Sequence, residues 1–264
     1  MGRERYQRLA GRLHRRSVAL ATALELNTAR IALVWVLLAL AASALRIAHP
    51  ATPFITFPDI AIQAVLSQLL LVGAPIGTLW LGLSLFPRGA LFRQPDIRLA
   101  RIGKWRSLDP LAARSYPDFG AGGWMASLLL GMLLNVPARS LEFLVAVPAL
   151  GSSAPTWFIS LYSVMLADVV IMSSLYVFAF TMALRLVPIF PRFLLLVWCV
   201  DLSAQFIIAE IVSRADAPHS VNIALVGLLE GNVKKVLISV AIWLPYLLLS
   251  NRVNATFRHR VPAG

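Results

Sequence analysis

The sequence predicts an all-α, polytopic integral membrane protein with about six transmembrane helices and both termini cytoplasmic. Of its 264 residues, 59% are hydrophobic and only 14% are charged, whereas soluble domains hold about 45 to 50% apolar and about 25% charged residues. Several apolar runs approach the length of about 20 residues that crosses a hydrocarbon core about 30 Å thick. These runs are apolar on every face instead of alternating, which favours helices over barrel strands.

Residues 1–30 are predicted to form a basic amphipathic N-terminal segment. They carry seven arginines, including Arg12 and Arg16, among leucines and valines. A helix of this pattern lies on the inner leaflet, where anionic headgroups attract its arginines. Two transmembrane helices follow within residues 31–86, at Ile31 to Leu45 and Ile60 to Phe86.

In the second of these spans, Gly73 and Gly77 have the small-xxx-small spacing that predicts close contact between helices. We therefore expect this span to pack against a neighbour at these two glycines.

Residues 87–118 are predicted to be a basic cytoplasmic amphipathic loop. The segment holds seven Lys or Arg against three Asp, and apolar residues recur every three positions from Leu99 to Trp105, each following a basic residue. This spacing predicts a helix on an anionic lipid surface. Asp109 followed by Pro110 predicts the start of a second short helix. The expected lipid-headgroup contacts are Arg98, Arg101 and Lys104.

Residues 119–258 hold four further apolar runs, and residues 259–264 are a short tail. The segment Val221 to Leu229 is too short to cross and is predicted to lie in the membrane interface. The predicted spans run from Gly122 to Val147, Phe158 to Leu186, Phe193 to Ile211 and Val236 to Leu249.

The distribution of basic residues predicts the orientation. In this six-helix arrangement, the side that carries both termini holds 19 Lys or Arg and the other side holds five. Because cytoplasmic loops retain the excess of basic residues, both termini are expected in the cytoplasm. The basic residues responsible for the net charge of +12 are thus expected to contact the anionic headgroups of a lipid bilayer and not nucleic acid.

Several short motifs carry a resemblance to a known family. They are Gly-Gly-Trp at Gly122 to Trp124, Phe-Pro-Arg-Phe at Phe190 to Phe193, Trp-Leu-Pro-Tyr at Trp243 to Tyr246, and the segment Ser250 to Phe257. Residues 120–258 resemble the bacterial membrane family called domain of unknown function 2569 (DUF2569). The resemblance implies a four-helix membrane domain and a bacterial inner (cytoplasmic) membrane, and it implies no activity.

Ionisable side chains at membrane depth are costly and are the first candidates for function. Asp168 and Asp201 lie in two predicted antiparallel spans, at depths one or two helical turns apart. With Gln205, they are candidates for an intramembrane polar path for protons or a small cation; alternatively, each aspartate fixes helix contacts by hydrogen bonding. Two further pairs are spaced to meet on helix faces near the outer surface. They are Arg139 with Glu142, and Glu210 with Arg214.

No metal-binding or nucleophile motif is visible, so the sequence predicts no enzyme, no cofactor and no catalytic residue. We therefore favour a non-catalytic membrane subunit or assembly factor with a membrane-protein partner. The alternatives are a small secondary transporter or channel that uses the intramembrane aspartates, and a membrane enzyme that acts on lipids.

Overall fold

A computed structural model of the protein describes residues 2–49, 57–97, 102–150 and 154–263. Within these ranges the chain forms nine helices and one two-stranded sheet. The helices are α1 (Gly2–Leu26), α2 (Thr28–Ala48), α3 (Phe57–Leu85), α4 (Pro110–Arg114), α5 (Trp124–Ala146), α6 (Thr156–Leu184), α7 (Phe190–Ser213), α8 (His219–Leu249) and α9 (Asn251–Arg258). The strands are β1 (Trp105–Ser107) and β2 (Arg260–Pro262).

Six of the described helices are long and apolar enough to cross a membrane: α2, the Val65–Leu85 part of α3, and α5 to α8. The prediction of an all-α fold with six helices of membrane-crossing length is therefore confirmed, and the predicted spans occur in the same order along the chain. α2 and α7 extend two or three residues past both ends of the predicted runs, because polar and charged residues at span ends remain helical while reaching toward water. α5 lies within its predicted run.

One predicted boundary is wrong. The segment Val221 to Leu229 does not lie apart in the interface but forms the first part of α8, which continues to Leu249. Nothing interrupts the helix between the two segments, and Lys234 pairs with Glu230 across one turn at 3.1 Å, a contact that favours helix. At about 1.5 Å per residue, its 31 residues span about 46 Å, which exceeds the hydrocarbon core.

The central helix is α6, which contacts α3, α5 and α7. It buries 15 of its 29 residues, whereas α2 and α8 bury few and lie at the periphery. The first helix, α1, packs on α5 and α2. The arrangement places α5, α6 and α7 together at the middle of the bundle, with α8 against α7.

Two apolar clusters occupy opposite ends of the bundle. The basal cluster lies at the end that also carries α1, α9 and the sheet, and it includes Met125, Leu129, Phe180, Phe190 and Leu194. The distal cluster lies at the other end, and it includes Phe143, Tyr162, Val169, Ile208 and Val212. On α5 and α7 the buried residues of the two clusters leave a gap of about three turns between them, whereas on α6 Val169 and Met172 are less than one turn apart.

The basic loop differs from its prediction. Arg98 and Arg101 lie outside the described residues, but the segment from Ile102 to Lys104 is not helical and Trp105 begins β1. Two causes act against a helix here: Gly103 has a φ of +92°, and Trp105 pairs with Pro262 in an antiparallel sheet. Lys104 is exposed beside this sheet.

The second short helix of the loop is confirmed. α4 begins at Pro110, and the backbone N–H of Leu111 donates to the Asp109 carboxylate at 2.9 Å. Asp109 is therefore an N-cap of the ordinary kind.

The close approach of α3 to its neighbour does not occur at the predicted glycines. A β-carbon added at Gly73 or Gly77 would meet no described atom within 4 Å, whereas one added at Gly82 would overlap the Thr181 hydroxyl of α6. The predicted spacing is present in the sequence, but its face of α3 is not the face that α6 covers.

We expect Gly82→Ala to destabilise the bundle, because the added methyl group forces α3 away from Thr181. Overpacking of this kind costs about 1 to 3 kcal/mol in the free energy of unfolding. Thermal unfolding in detergent measures the change. The matched control is Gly77→Ala, which fills open space and, by helix propensity, is neutral or stabilising by up to about 1 kcal/mol. Equal melting temperatures for the two variants would contradict this contact.

Candidate functional site

Three charged side chains from three central helices meet at the level where α5 and α7 leave a gap between the two apolar clusters. Arg139 of α5 donates from Nη2 to both carboxylate oxygens of Asp201 of α7, each at 2.7 Å. It also donates from Nη1 to Oδ2 of Asp168 of α6 at 3.0 Å. The side chains of Arg139, Asp168 and Asp201 are only 11%, 8% and 0% exposed. We call these three residues the charge cluster.

Uncharged side chains extend the charge cluster to a fourth span. Tyr176 of α6 donates its hydroxyl to Asp201 at 2.9 Å, and Gln205 of α7 donates to Asp168 at 3.4 Å. Asn232 of α8 in turn donates to the Gln205 oxygen at 3.2 Å. One hydrogen-bonded network thus connects all four helices from α5 to α8.

Helical periodicity explains why these side chains point to one place. Asp201 and Gln205 are one turn apart on the buried face of α7, and Tyr176 follows Asp168 by two turns on α6. Arg139 lies about 22 Å along α5 from Trp124, and Asp201 lies about 16 Å along α7 from Phe190. Both distances fall within a hydrocarbon core about 30 Å thick.

The charge cluster has more acid than base. Two carboxylates share the single guanidinium of Arg139, and their remaining hydrogen-bond partners are uncharged. With both acids ionised, the charge cluster carries one net negative charge in a medium where uncompensated charge is costly. One further positive charge, either a proton or a small cation, would balance it.

The two aspartates are not equivalent. Asp201 accepts two bonds from Arg139 and one from Tyr176, all at 2.9 Å or less. Asp168 accepts one bond from Arg139 at 3.0 Å and a long one from Gln205 at 3.4 Å. Hydrogen bonds stabilise a carboxylate in its charged form, so Asp201 is the firmly held anion and Asp168 is the one that has capacity for a further ligand.

A polar cleft between α5 and α8 leads to the charge cluster. Its walls are stripes of polar residues at helical spacing on the two facing helices, and Tyr176 closes its inner side. A smaller side cavity shares Arg139 and Asn232 with the cleft and reaches Asp168. The polar residues that line the cleft are Asn135, Arg139, Glu142, Asn232, Lys235 and Ser239.

An ion pair joins the two walls of the polar cleft. Lys235 of α8 contacts Glu142 of α5, and the side chains are 61% and 43% exposed. This pair lies one turn beyond Arg139 toward the distal end of α5. It therefore bridges the cleft between the charge cluster and the distal surface.

The structure brings together the predicted polar-path residues Asp168, Asp201 and Gln205. The two aspartates are joined through Arg139, and Gln205 donates directly to Asp168. The predicted pairing of Arg139 with Glu142 is wrong. Arg139 faces α6 and α7, where it meets both aspartates, whereas Glu142 points to α8 and Lys235. A three-residue step rotates a side chain by about 300° around a helix, enough to give each residue a different neighbour.

The other predicted pair is present. Arg214 donates to Glu210 across one turn of α7, and both side chains are largely exposed. This pair is separate from the charge cluster.

Sequence reasoning missed Tyr176, Asn232 and Lys235. The two-turn spacing between Asp168 and Tyr176 indicates that both side chains lie on the same face of α6, and this could have identified Tyr176. Asn232 and Lys235 fall in a predicted external loop, because the predicted last span begins only at Val236. Within the described ranges, no three His, Cys, Asp or Glu side chains are grouped as a metal site.

We expect Asp201→Asn to destabilise the protein strongly, since it removes the doubly bonded anion and leaves Arg139 with Asp168 alone. Breaking a buried pair by removing one partner costs about 3 to 5 kcal/mol, which thermal unfolding in detergent can detect. The control is Glu210→Gln in the exposed pair, where a loss of at most about 1 kcal/mol is expected. Similar losses in both variants would show that the charge cluster does not hold the bundle together.

Comparison of the chain with family models, with curated proteins and with solved structures found no match in any of the three. The resemblance of residues 120–258 to the DUF2569 family therefore stays a prediction. The functional argument rests on the geometry of the charge cluster and the polar cleft.

Proposed function

We propose that the protein is a small secondary transporter that carries a proton or a small cation through the charge cluster. The observation that supports this is the ratio of two buried carboxylates to one guanidinium. A structural link between two helices needs one acid for one base, and here a third helix supplies a second acid. The second acid, Asp168, is the extra group that a transported cation or proton would neutralise.

Access to the charge cluster is unequal from the two ends of the bundle. Toward the distal end, the polar cleft carries the charged side chains of Glu142 and Lys235, whereas Asn135 and Ser239 lie one turn nearer the basal end than Arg139 and Lys235. Toward the basal end, the buried side chains of the basal cluster fill the space between α5, α6 and α7. This asymmetry is the arrangement expected of a transporter that is open to one side and closed to the other.

The proposed cycle uses the two aspartates differently. A proton or cation enters by the polar cleft and binds the Asp168 carboxylate, which then carries no net charge. Arg139 keeps its two bonds to Asp201, so one ion pair stays intact throughout. Release toward the basal end returns Asp168 to its anionic form and to its bond with Arg139.

Opening the basal end requires helices that can bend. Both walls of the polar cleft contain a proline inside a span, Pro137 in α5 and Pro245 in α8. Each proline removes one backbone hydrogen bond and weakens the helix at that turn. Helices interrupted near binding sites are a recurrent feature of secondary transporters.

A second candidate is a membrane subunit or assembly factor, the function that the sequence alone favours. The supporting observation is a folded basal surface of α1, α4, α9 and the sheet, on which Arg12, Arg15 and Arg16 of α1 are exposed. Such a surface could bind an acidic partner. We assign no catalytic residue under either candidate.

For location, we propose a bacterial inner membrane with both termini in the cytoplasm. The basal end carries most of the basic residues, and basic residues are retained on the cytoplasmic side. The distal end, with the polar cleft, would then face outward.

We expect Asp168→Asn to abolish cation or proton flux, because an amide cannot exchange a proton or balance a cation. The purified protein would be reconstituted into liposomes with an internal pH dye and a potassium diffusion potential. Flux should fall at least about tenfold, as expected when the exchanging group itself is removed. Asp168→Glu, which keeps the carboxylate, should restore part of the flux, and Glu210→Gln should leave it unchanged.

Wild-type flux in Asp168→Asn would contradict the transporter proposal. So would a wild-type protein that shows no flux for protons or alkali cations and that purifies with one membrane protein in fixed stoichiometry. The latter result would favour the subunit candidate.

The proposed orientation has its own test. Alkaline phosphatase folds only outside the cytoplasm because it needs disulfides. Fused after Arg214, between α7 and α8, it should be active, and fused after Arg106 it should be inactive. The reverse pattern would place the basal end outside.

A further inference from the structure

A second pocket lies at the basal end, far from the charge cluster, between the start of α7 and the end of α8. One wall carries the arginines Arg192, Arg258 and Arg260, and the opposite wall is apolar. The apolar wall includes Leu195, Leu244 and Leu248. We call this the arginine pocket.

Neutral groups hold the arginines of the pocket in place. Arg258 donates to the Leu247 carbonyl at 2.8 Å and to the Asn254 side-chain oxygen at 3.0 Å. Arg260 donates to the same Asn254 oxygen at 2.8 Å, and its guanidinium lies 5.0 Å from the centre of the Trp105 ring. Arg192 donates to a backbone carbonyl. These contacts orient the three guanidinium groups of the pocket.

The arginines also repel one another. Burial and the nearby charges of Arg260 and Arg192 together lower the pKa of Arg258 to about 10. A folded protein that holds like charges together in this way gains stability when an anion lies between them. The pocket is therefore electrostatically suited to a phosphate group.

The position of the pocket indicates where that phosphate comes from. Arg192 and Leu195 lie in the first two turns of α7, and Leu244 and Leu248 lie in the last two turns of α8. Span ends are at the height of the headgroups. Leu195 is largely exposed and Leu248 half-buried, so the leucines form an apolar wall that reaches from the arginines toward the membrane core.

We propose that the arginine pocket binds one anionic phospholipid of the basal leaflet, with its phosphate between Arg192, Arg258 and Arg260 and an acyl chain along the leucine wall. A soluble phosphate would use only the polar half of the pocket. This assignment does not depend on the transporter proposal.

The test is native mass spectrometry of the full-length protein, purified in detergent and titrated with phosphatidylglycerol. One tightly bound lipid per chain is expected, with phosphatidylcholine binding much more weakly. Arg192→Gln should weaken this binding by about fivefold, and the double variant Arg192→Gln with Arg258→Gln by about 25-fold, from about 1 kcal/mol per basic residue at a lipid surface. The matched control is Arg106→Gln, which removes an exposed basic residue of the neighbouring strand and should leave binding unchanged.

Three results would overturn the proposal. The first is equal binding of phosphatidylglycerol and phosphatidylcholine. The second is an equal loss in Arg106→Gln and Arg192→Gln, which would show a general charge effect. The third is competition by millimolar inorganic phosphate that removes the lipid completely, which would assign the pocket to a free anion. Arg192→Gln is at a half-buried position and keeps the backbone contacts of α7, so its thermal unfolding provides a check that the fold is retained.

Discussion

The bundle depends on the guanidinium of Arg139, which is largely buried and bridges α5, α6 and α7. Five N–H donors in a rigid plane allow one side chain to serve two carboxylates at once. A lysine could not replace it, since its three donors have no fixed fork. The apolar clusters pack on either side of the charge cluster, and the charge cluster in turn fixes how the three helices are rotated against each other.

The charge cluster separates the bundle into a basal half and a distal half that differ in their packing. On the basal side, α5 to α7 contact one another through bulky apolar side chains, and on the distal side the polar cleft opens between α5 and α8. The peripheral helix α8 lines both the polar cleft and the arginine pocket. It contributes Asn232 and Lys235 to the cleft and Leu244 and Leu248 to the arginine pocket, so a tilt of α8 would alter both.

Local properties of the sequence were sufficient to predict the spans. Hydropathy and length identify the six crossings, and the cost of burying charge singles out Asp168 and Asp201. These properties could not identify Arg139 as the partner of the aspartates, because that contact depends on how α5 is rotated relative to α6 and α7. Arg139 was assigned to Glu142 only because the two are close in sequence. The local sequence could not predict the strand at Trp105 either, since its three residues become a strand only by pairing with Pro262 and its neighbours.

That pairing has a consequence for biogenesis. During synthesis, β1 leaves the ribosome before any of the last four spans exists, and its partner β2 follows all of them. The sheet can close only when those spans have entered the membrane and α9 has folded back beneath them. Until then, the segment Trp105–Ser107 is unpaired, and its backbone is open to proteases and to wrong strand partners. Closure of this small sheet thus follows the insertion of the last four spans, and a chain that stalls midway is left with this segment unpaired.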